Sequence, residues 1–146
     1  MDINRQAPAI ASGQVHVAAT PETVWRVMSD IGRWPEWNPD IKTVSLERPV
    51  EPGTRFRWKS GPSTITSILR QVEPPRALAW TGSTMGIKAV HVWRLEPQDG
   101  GTRVTTEESW EGLIVRLLCG PMRKTLQKAI DSGLQHLKAE AERRAA

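Results

Sequence analysis

Residues 88–110 carry the sequence KAVHVWRLEPQDGGTRVTTEESW, and this stretch decides the fold. Apolar and polar side chains alternate on both sides of residues 97–101, whose Pro, Asp and Gly residues are typical of a tight turn. Two strands joined by so short a turn must pair antiparallel, because a parallel pair needs a crossover of about a dozen residues or more. The stretch therefore predicts a β-hairpin.

The alternation also assigns an inner face to each strand of this hairpin. The inward side chains are predicted to be those of Ala89, His91, Trp93 and Leu95 in the first strand and those of Val104, Thr106, Glu108 and Trp110 in the second. If Leu95 pairs with Val104, His91 faces Glu108 directly. A register shifted by two residues would leave His91 and Glu108 as diagonal neighbours. The intervening valines are apolar too, so the opposite assignment of faces stays open.

The chain before this hairpin repeats the alternating pattern. Further strands are predicted at residues 14–18, 42–46, 54–59, 63–72 and 76–81. With the hairpin they make seven strands, and the short links between the later six favour an antiparallel meander. The inward face of residues 63–72 stays open: Arg70 should face water and so favours Leu69 inside, whereas Val72 favours the alternate set.

Helices are predicted at two places. Thr20 and Pro21 are typical of a helix start, with Thr as the N-cap and Pro in the first turn. Residues 33–39 contain two Pro and two Trp, so one or two short helices should follow the first strand. From Leu113 apolar residues recur every three to four positions, which predicts a long amphipathic helix with a break near Gly120 and Pro121.

Length and composition exclude several classes of protein. A chain of 146 residues suits one domain, here residues 13–146 preceded by a flexible arm at residues 1–12. Its single Cys excludes an internal disulfide and a paired-Cys zinc site, and its three His have no metal-ligand spacing. Without a nucleotide-binding Gly motif, we expect no cofactor and no metal. Without a long apolar run or a secretory signal, we expect a cytoplasmic protein with no stable membrane insertion.

The charge pattern argues against nucleic acid as a partner. There are 20 basic and 16 acidic residues, a net charge of +4, and the two signs are interspersed. The most suggestive segment is residues 55–59, RFRWK. A stacking platform needs aromatic and cationic groups on one surface, whereas strand alternation places Phe56 and Trp58 on one face and the cations on the other.

Five segments, taken in order, resemble one known fold family. They are VHVAATPETVW at residues 15–25, WPEWNP at 34–39, EPPRALAW at 73–80, GGTRVT at 100–105 and GLQHLK at 133–138. Together they resemble the SRPBCC/START-like helix-grip superfamily, which includes START lipid-binding domains, Bet v 1 proteins and bacterial polyketide cyclase/dehydrase-like proteins. The resemblance implies an α+β fold, with a curved seven-stranded antiparallel sheet around a long C-terminal helix and an internal cavity for an apolar ligand. It does not imply one activity.

The aromatic composition supports such a cavity without requiring it. The chain has seven Trp, one Phe and no Tyr. Predicted ligand-binding residues are Trp37, Phe56, Trp58, Leu78, Trp80, His91, Trp93, Thr106, Glu108, Trp110, Met122, Leu126 and Ile130. Trp34 and Trp37 are placed near the cavity mouth by the resemblance. Ordinary core packing would account for the aromatic residues equally well. Gly133 on the long helix either allows close approach to the sheet or leaves room for a ligand.

His91 and Glu108 are the candidate catalytic residues. An imidazole and a carboxyl group facing a cavity could exchange protons with an enolisable ligand, could orient a ligand hydroxyl or carbonyl, or could satisfy only each other. The favoured function is binding of a hydrophobic small molecule, such as a lipid, a quinone, a polyketide or another aromatic compound. The alternatives are a polyketide cyclase/dehydratase-type enzyme that uses this pair and a protein-interaction module that uses the groove. The sequence leaves the oligomeric state open.

Overall fold

A computed structural model describes residues 1–146 and contains one seven-stranded antiparallel sheet in the order β1-β7-β6-β5-β4-β3-β2. The strands are β1 Ala9–Val17, β2 Ile41–Leu46, β3 Arg55–Ser60, β4 Ser63–Glu73, β5 Ala77–Thr84, β6 Ile87–Gln98 and β7 Gly101–Glu111. The helices are α1 Pro21–Ser29, α2 Trp34–Trp37, α3 Leu113–Leu117 and α4 Cys119–Ala145, with a 3-10 turn at Ile31–Arg33. The helix-grip prediction is confirmed: the curved sheet surrounds the long C-terminal helix, and short helices follow the first strand.

The hairpin that decides the fold has the predicted register. Leu95 pairs with Val104, and His91 pairs directly with Glu108. The turn consists of two residues, Asp99 and Gly100, with φ values of 48° and 76°. Asp and Gly tolerate this left-handed backbone, as the two-residue turns of β-hairpins require. The turn chemistry therefore fixes which residues face each other on β6 and β7.

The open question about the inward face of β4 has an unexpected answer. Both Leu69 and Val72 pack against the core, although they lie three positions apart. A bulge between Leu69 and Gln71 makes this possible: Leu69 pairs with Trp80 and Val72 with Leu78, so one extra residue shifts the alternation. A prediction from alternation assumes an unbroken period of two along the strand. Leu69 before the bulge and Val72 after it both face inward, so each of the two predicted sets is correct on one side of the bulge.

The first helix begins at its predicted cap, and the last begins near the predicted break. The Thr20 hydroxyl accepts a hydrogen bond from the backbone N–H of Thr23 at 3.2 Å and so caps α1. The helical conformation is interrupted at Leu118, between α3 and α4. Pro121 lies in the first turn of α4, where no hydrogen bond is lost by its missing N–H. The core-facing side of α4 is formed by Leu126, Ile130, Leu134, Leu137 and Ala141. None of the helices combines the length and apolarity needed to cross a bilayer.

The first residues differ from the predicted loose arm. Strand β1 begins at Ala9, and Ile3 is buried with Ala79 and Val92 on the outer face of the sheet. The backbone N–H of Asn4 donates a hydrogen bond to the Ser109 hydroxyl at 3.0 Å. The physical reason lies in the sheet: the outward positions of β5 and β6 carry apolar side chains, and the N-terminal segment removes them from water.

Candidate functional site

A cavity of about 110 Å³ lies between the inner face of the sheet and α4. It is lined by seven of the predicted ligand-binding residues, namely Trp37, Trp58, Trp80, His91, Trp93, Glu108 and Ile130. These residues come from α2, four strands and α4. The structure thus brings together side chains that are as far apart in the chain as Trp37 and Ile130.

The other predicted residues lie away from the cavity wall. Phe56, Leu78 and Leu126 are fully buried and serve as packed core. Thr106 is also fully buried, and its hydroxyl supports His91 from behind rather than facing the cavity. Trp110 and Met122 pack against the core from partly buried positions outside the wall. An inward direction on a strand or helix does not by itself distinguish a cavity wall from the core beside it.

Nine lining residues were not among the predicted ligand-binding residues, although Trp34 was expected near the cavity mouth and Gly133 was considered as space for a ligand. They are Met28, Trp34, Asn38, Asp40, Ile41, Ser60, Ala129, Gly133 and Leu137. Gly133 and Leu137 lie three and seven positions after Ile130, so helical periodicity carries a signal for both. Asn38 and Asp40 follow α2 in an irregular segment, where periodicity gives no direction for a side chain, and Ile41 is the first residue of β2.

A continuous series of aromatic contacts forms much of the wall. Trp34 lies edge-on to Trp58, with 5.9 Å between the ring centroids, and 5.4 Å from Trp80. Trp80 lies 4.8 Å from the His91 ring, which lies 5.2 Å from Trp93. Aromatic pairs of this kind add about 0.5–1.5 kcal/mol each beyond the burial of their area, so the contacts between the rings stabilise the wall.

The indole N–H groups of this wall fall into two classes. Trp34 donates its N–H to the carbonyl oxygen of Met28 at 2.9 Å, and Trp58 donates to the Ser67 hydroxyl at 3.0 Å. The N–H groups of Trp37 and Trp93 are buried and have no acceptor. Leaving a buried donor unpaired costs about 1–3 kcal/mol, so two wall residues hold unused hydrogen-bonding capacity.

A chain of hydrogen bonds fixes the protons around His91. The Thr106 hydroxyl donates its only proton to the Val92 carbonyl at 3.0 Å, so it must accept from Nε2–H of His91 at 2.9 Å. In the neutral ring, Nδ1 is then an acceptor. The Glu108 Oε1 atom lies 3.2 Å from Nδ1, and Oε2 accepts from the Trp110 indole at 2.9 Å. A proton on Oε1 completes the network.

Burial pushes both members of the pair toward their neutral forms. The side chains of His91 and Glu108 are only 11% and 15% exposed. Burial raises the pKa of the Glu108 carboxyl from 4.5 to about 7, against the smaller opposing effect of the Trp110 N–H. Burial also lowers the pKa of the His91 imidazole from 6.5 to about 3. The pair therefore shares one proton, held by Glu108, in weakly acidic solution.

A hydrogen bond joins the two sides of the cavity beside Asp40. The Ser132 hydroxyl on α4 donates to Oδ2 of Asp40 at 2.6 Å. Asp40 lines the cavity, and its backbone N–H donates to the Asn38 side-chain oxygen at 3.0 Å. The irregular segment after α2 is in this way tied to the helix that closes the cavity.

Comparisons with known proteins agree with this architecture. The family model for polyketide cyclase/dehydrase and lipid transport matches residues 8–142. Hypothetical protein jhp0584 from Helicobacter pylori is 18% identical, with a TM-score of 0.85 over 95% of this chain and 91% of that one. Zhui aromatase/cyclase from Streptomyces sp. R1128 is 18% identical, with a TM-score of 0.81 over 94% and 95%.

A third structure, a START superfamily protein from Mycobacterium smegmatis, is 19% identical, with a TM-score of 0.66 over 88% of this chain and 98% of that one. No curated protein matches the sequence. At these identities the structural neighbours establish the shared fold and no more.

Proposed function

Because the chain belongs to the polyketide cyclase/dehydrase and lipid transport family, we propose that it binds a hydrophobic small molecule in the cavity between the sheet and α4. The ligand is an aromatic or otherwise flat apolar molecule that carries at least one hydrogen-bond acceptor. Its apolar part packs against the indole wall. Its acceptor oxygen takes the unused N–H of Trp93 or Trp37.

The observation that carries this proposal is the pair of unpaired indole N–H groups on two residues of a mainly apolar wall. Trp93 is 7% exposed, so water is largely excluded from it. Small-molecule sites in proteins typically combine apolar walls with a few polar groups that set orientation. Here those groups are the two indoles and the protonated carboxyl of Glu108. A ligand oxygen would remove the cost of the unpaired donors on binding.

The volume of the cavity limits what fits without movement. Drug-sized ligands occupy pockets of roughly 300–1,000 Å³, whereas an apolar cavity of about 150 Å³ can hold benzene. A cavity of about 110 Å³ is smaller than the one that holds benzene, so a ligand with one or two rings has to widen it. The widening would separate α4 from the segment after α2, where Ser132 binds Asp40.

The test uses tryptophan fluorescence with two probes, 1-naphthol and naphthalene. We expect saturable quenching by both and tighter binding of 1-naphthol, since only it offers an acceptor oxygen. In a Gly133→Leu variant the larger side chain fills the cavity from α4, so quenching by both probes should be lost. Native mass spectrometry of protein purified from its host should show a bound small molecule. Absence of a bound molecule together with quenching that Gly133→Leu leaves unchanged would refute the proposal.

A second candidate function is general acid catalysis on a bound ketone, as in a polyketide cyclase/dehydratase-type enzyme. It is favoured by one observation: Glu108 lies on the cavity wall, and its pKa of about 7 keeps a transferable proton on it near neutral pH. Glu108 would give this proton to the ketone oxygen, and the carboxylate so formed would take a proton from the carbon beside the carbonyl, which converts the ketone to its enol with no net change in protons. His91 would orient the carboxyl through Nδ1. A Glu108→Gln variant that binds a ketone probe normally and loses its turnover would support this role, whereas unchanged turnover would eliminate it.

A further inference from the structure

One end of the molecule exposes large apolar side chains that the cavity does not use. The apolar tip, defined as Met85, Leu113, Ile114, Leu117 and Leu118, lines one shallow depression on the surface. Met85, Leu113 and Leu117 are 74%, 74% and 73% exposed. Helix α3 buries only Val115 among its apolar residues. Contiguous exposed apolar surface of this kind marks an interaction site.

The backbone holds the two parts of the apolar tip together. The β5–β6 turn presents Met85, and Gly112 begins the segment that leads into α3. Gly112 has a φ of 138°, and a Cβ at this position would collide with the carbonyl oxygen of Gly86. The turn and the start of α3 are therefore fixed against each other, and the tip is a defined surface.

Turn chemistry does not account for Met85. The two-residue turn Met85–Gly86 has φ values of 46° and 78°, nearly the same as those of the Asp99–Gly100 turn at the other end of β6. Asn, Asp and Gly are the residues that favour the first position of such a turn. Asp99 follows that rule, whereas Met85 is both unfavourable in this conformation and exposed. The outward-facing thioether therefore needs another explanation.

The charges around the apolar tip indicate the partner. Between Gly112 and Ile130 there are four basic residues, all exposed, and no acidic residue. They are Arg116, Arg123, Lys124 and Lys128. None of them has a carboxylate within ion-pair distance, although ion pairs are common elsewhere on this surface. An apolar tip with one unpaired cation in its own helix α3 and three more in the first turns of α4 matches the interface of an anionic lipid bilayer.

We propose that the apolar tip docks reversibly on the surface of an anionic membrane. Leu113, Leu117 and Met85 enter the boundary between headgroups and acyl chains, while the neighbouring cations contact lipid phosphates. A second copy of the chain fits this surface poorly, because a twofold pairing through the tip would bring the same four cations against their own symmetry mates. Docking on a bilayer places the protein beside a reservoir of apolar molecules.

The test is flotation of the full chain with vesicles of phosphatidylcholine and phosphatidylglycerol in a 3:1 ratio at 0.1 M salt, compared with pure phosphatidylcholine. We expect binding to the anionic vesicles only. Leu113→Ser/Leu117→Ser should weaken binding at least tenfold, since each Leu loses its transfer from water. Arg116→Gln and Lys124→Gln should each weaken it about fivefold, the effect of one cation near an anionic surface.

Two further variants keep the test decisive. Met85→Asn places the favoured residue in the turn, so it should fold at least as well as the wild type and still bind vesicles more weakly. Arg48→Gln/Arg55→Gln removes two exposed cations at the opposite end of the sheet and should leave binding unchanged.

Three outcomes would overturn the docking proposal. They are a wild type that fails to float with anionic vesicles, binding that none of the tip variants reduces, and a dimer in sedimentation equilibrium that Leu113→Ser/Leu117→Ser dissociates. The vesicles contain no cavity ligand, and Gly133→Leu should bind them normally. Failure of docking and failure of ligand binding are thus separate results.

Discussion

Nδ1 of His91 and Oε1 of Glu108 lie 3.2 Å apart at directly paired positions of β6 and β7, and burial lowers the pKa of the imidazole and raises that of the carboxyl. Thr106 fixes a proton on Nε2 of His91, because its own proton is committed to the Val92 carbonyl and it can only accept from the ring. Burial, which disfavours the charged form of both groups, then favours the second proton on the carboxyl over Nδ1. The two buried side chains are then hydrogen-bonded to each other while both are uncharged. This avoids the free-energy cost of burying two charges in a mainly apolar wall.

Replacing Glu108 by Gln should stabilise the protein at alkaline pH. Gln mimics the protonated carboxyl: its NH₂ can donate to His91 Nδ1, and its oxygen can accept from Trp110. The folded-state pKa of Glu108, about 7, lies above the unfolded value of 4.5, so its stabilising effect is complete below pH 4.5 and lost as pH rises through 7. Urea unfolding should show Glu108→Gln equal to wild type at pH 4 and more stable by about 3 kcal/mol at pH 8. Equal stability at both pH values would contradict a raised pKa.

The ring of His91 should be neutral, with its proton on Nε2, throughout weakly acidic conditions. Burial lowers the pKa of His91 to about 3, so the imidazolium form is absent at pH 5. Nitrogen-15 NMR chemical shifts of the imidazole distinguish the two neutral tautomers from the charged ring. His16, which is exposed, serves as the internal comparison. A charged His91 ring at pH 5 would show that the proton resides on the imidazole and not on Glu108.

Replacing Gly133 by Ala should raise stability and weaken ligand binding together. An added Cβ would meet the Trp93 ring at 3.8 Å, an ordinary contact, so close approach does not require glycine here. Removing Gly from the helix interior should raise the free energy of unfolding by up to about 1 kcal/mol. The same methyl group narrows the cavity, so quenching by 1-naphthol should require a higher concentration. A variant that gains stability and keeps full affinity would show that the cavity is not the binding site.

The unpaired indole of Trp93 should discriminate between oxygenated and plain aromatic ligands. Trp93→Phe removes the free N–H and should weaken 1-naphthol binding about 2- to 10-fold relative to naphthalene, the worth of one hydrogen bond. Trp58→Phe is the matched control, since its N–H is already bonded to Ser67. That variant should affect the two probes equally. Equal effects of both substitutions would assign Trp93 a packing role only.

The hairpin and the long helix could be predicted because local rules determine them. Alternation in β6 and β7 and the Asp99–Gly100 turn together specify the pairing of His91 with Glu108, and helical spacing specifies the core-facing side of α4. The face of α4 depends on residues only three or four positions apart, and the pairing of β6 with β7 depends on the turn that fixes their register.

The cavity wall could be predicted only in part, for a physical reason. Phe56 and Trp58 lie on the same face of β3, yet Phe56 is fully buried in packed core and Trp58 lines the cavity. The difference depends on how far α4 and α2 stand from the sheet at each position. Asp40 shows the same limit, because it reaches the cavity from an irregular segment. Such distances come from the packing of the whole molecule, which alternation does not encode.

The bulge in β4 marks a position at which the chain could lose one residue and keep its core. Deleting one residue from a central strand ordinarily turns every later side chain to the wrong face. Here the loss of Arg70 would restore regular alternation and leave Leu69 and Val72 pointing the same way. A variant that lacks Arg70 should therefore keep the same core residues inside on both sides of the deletion.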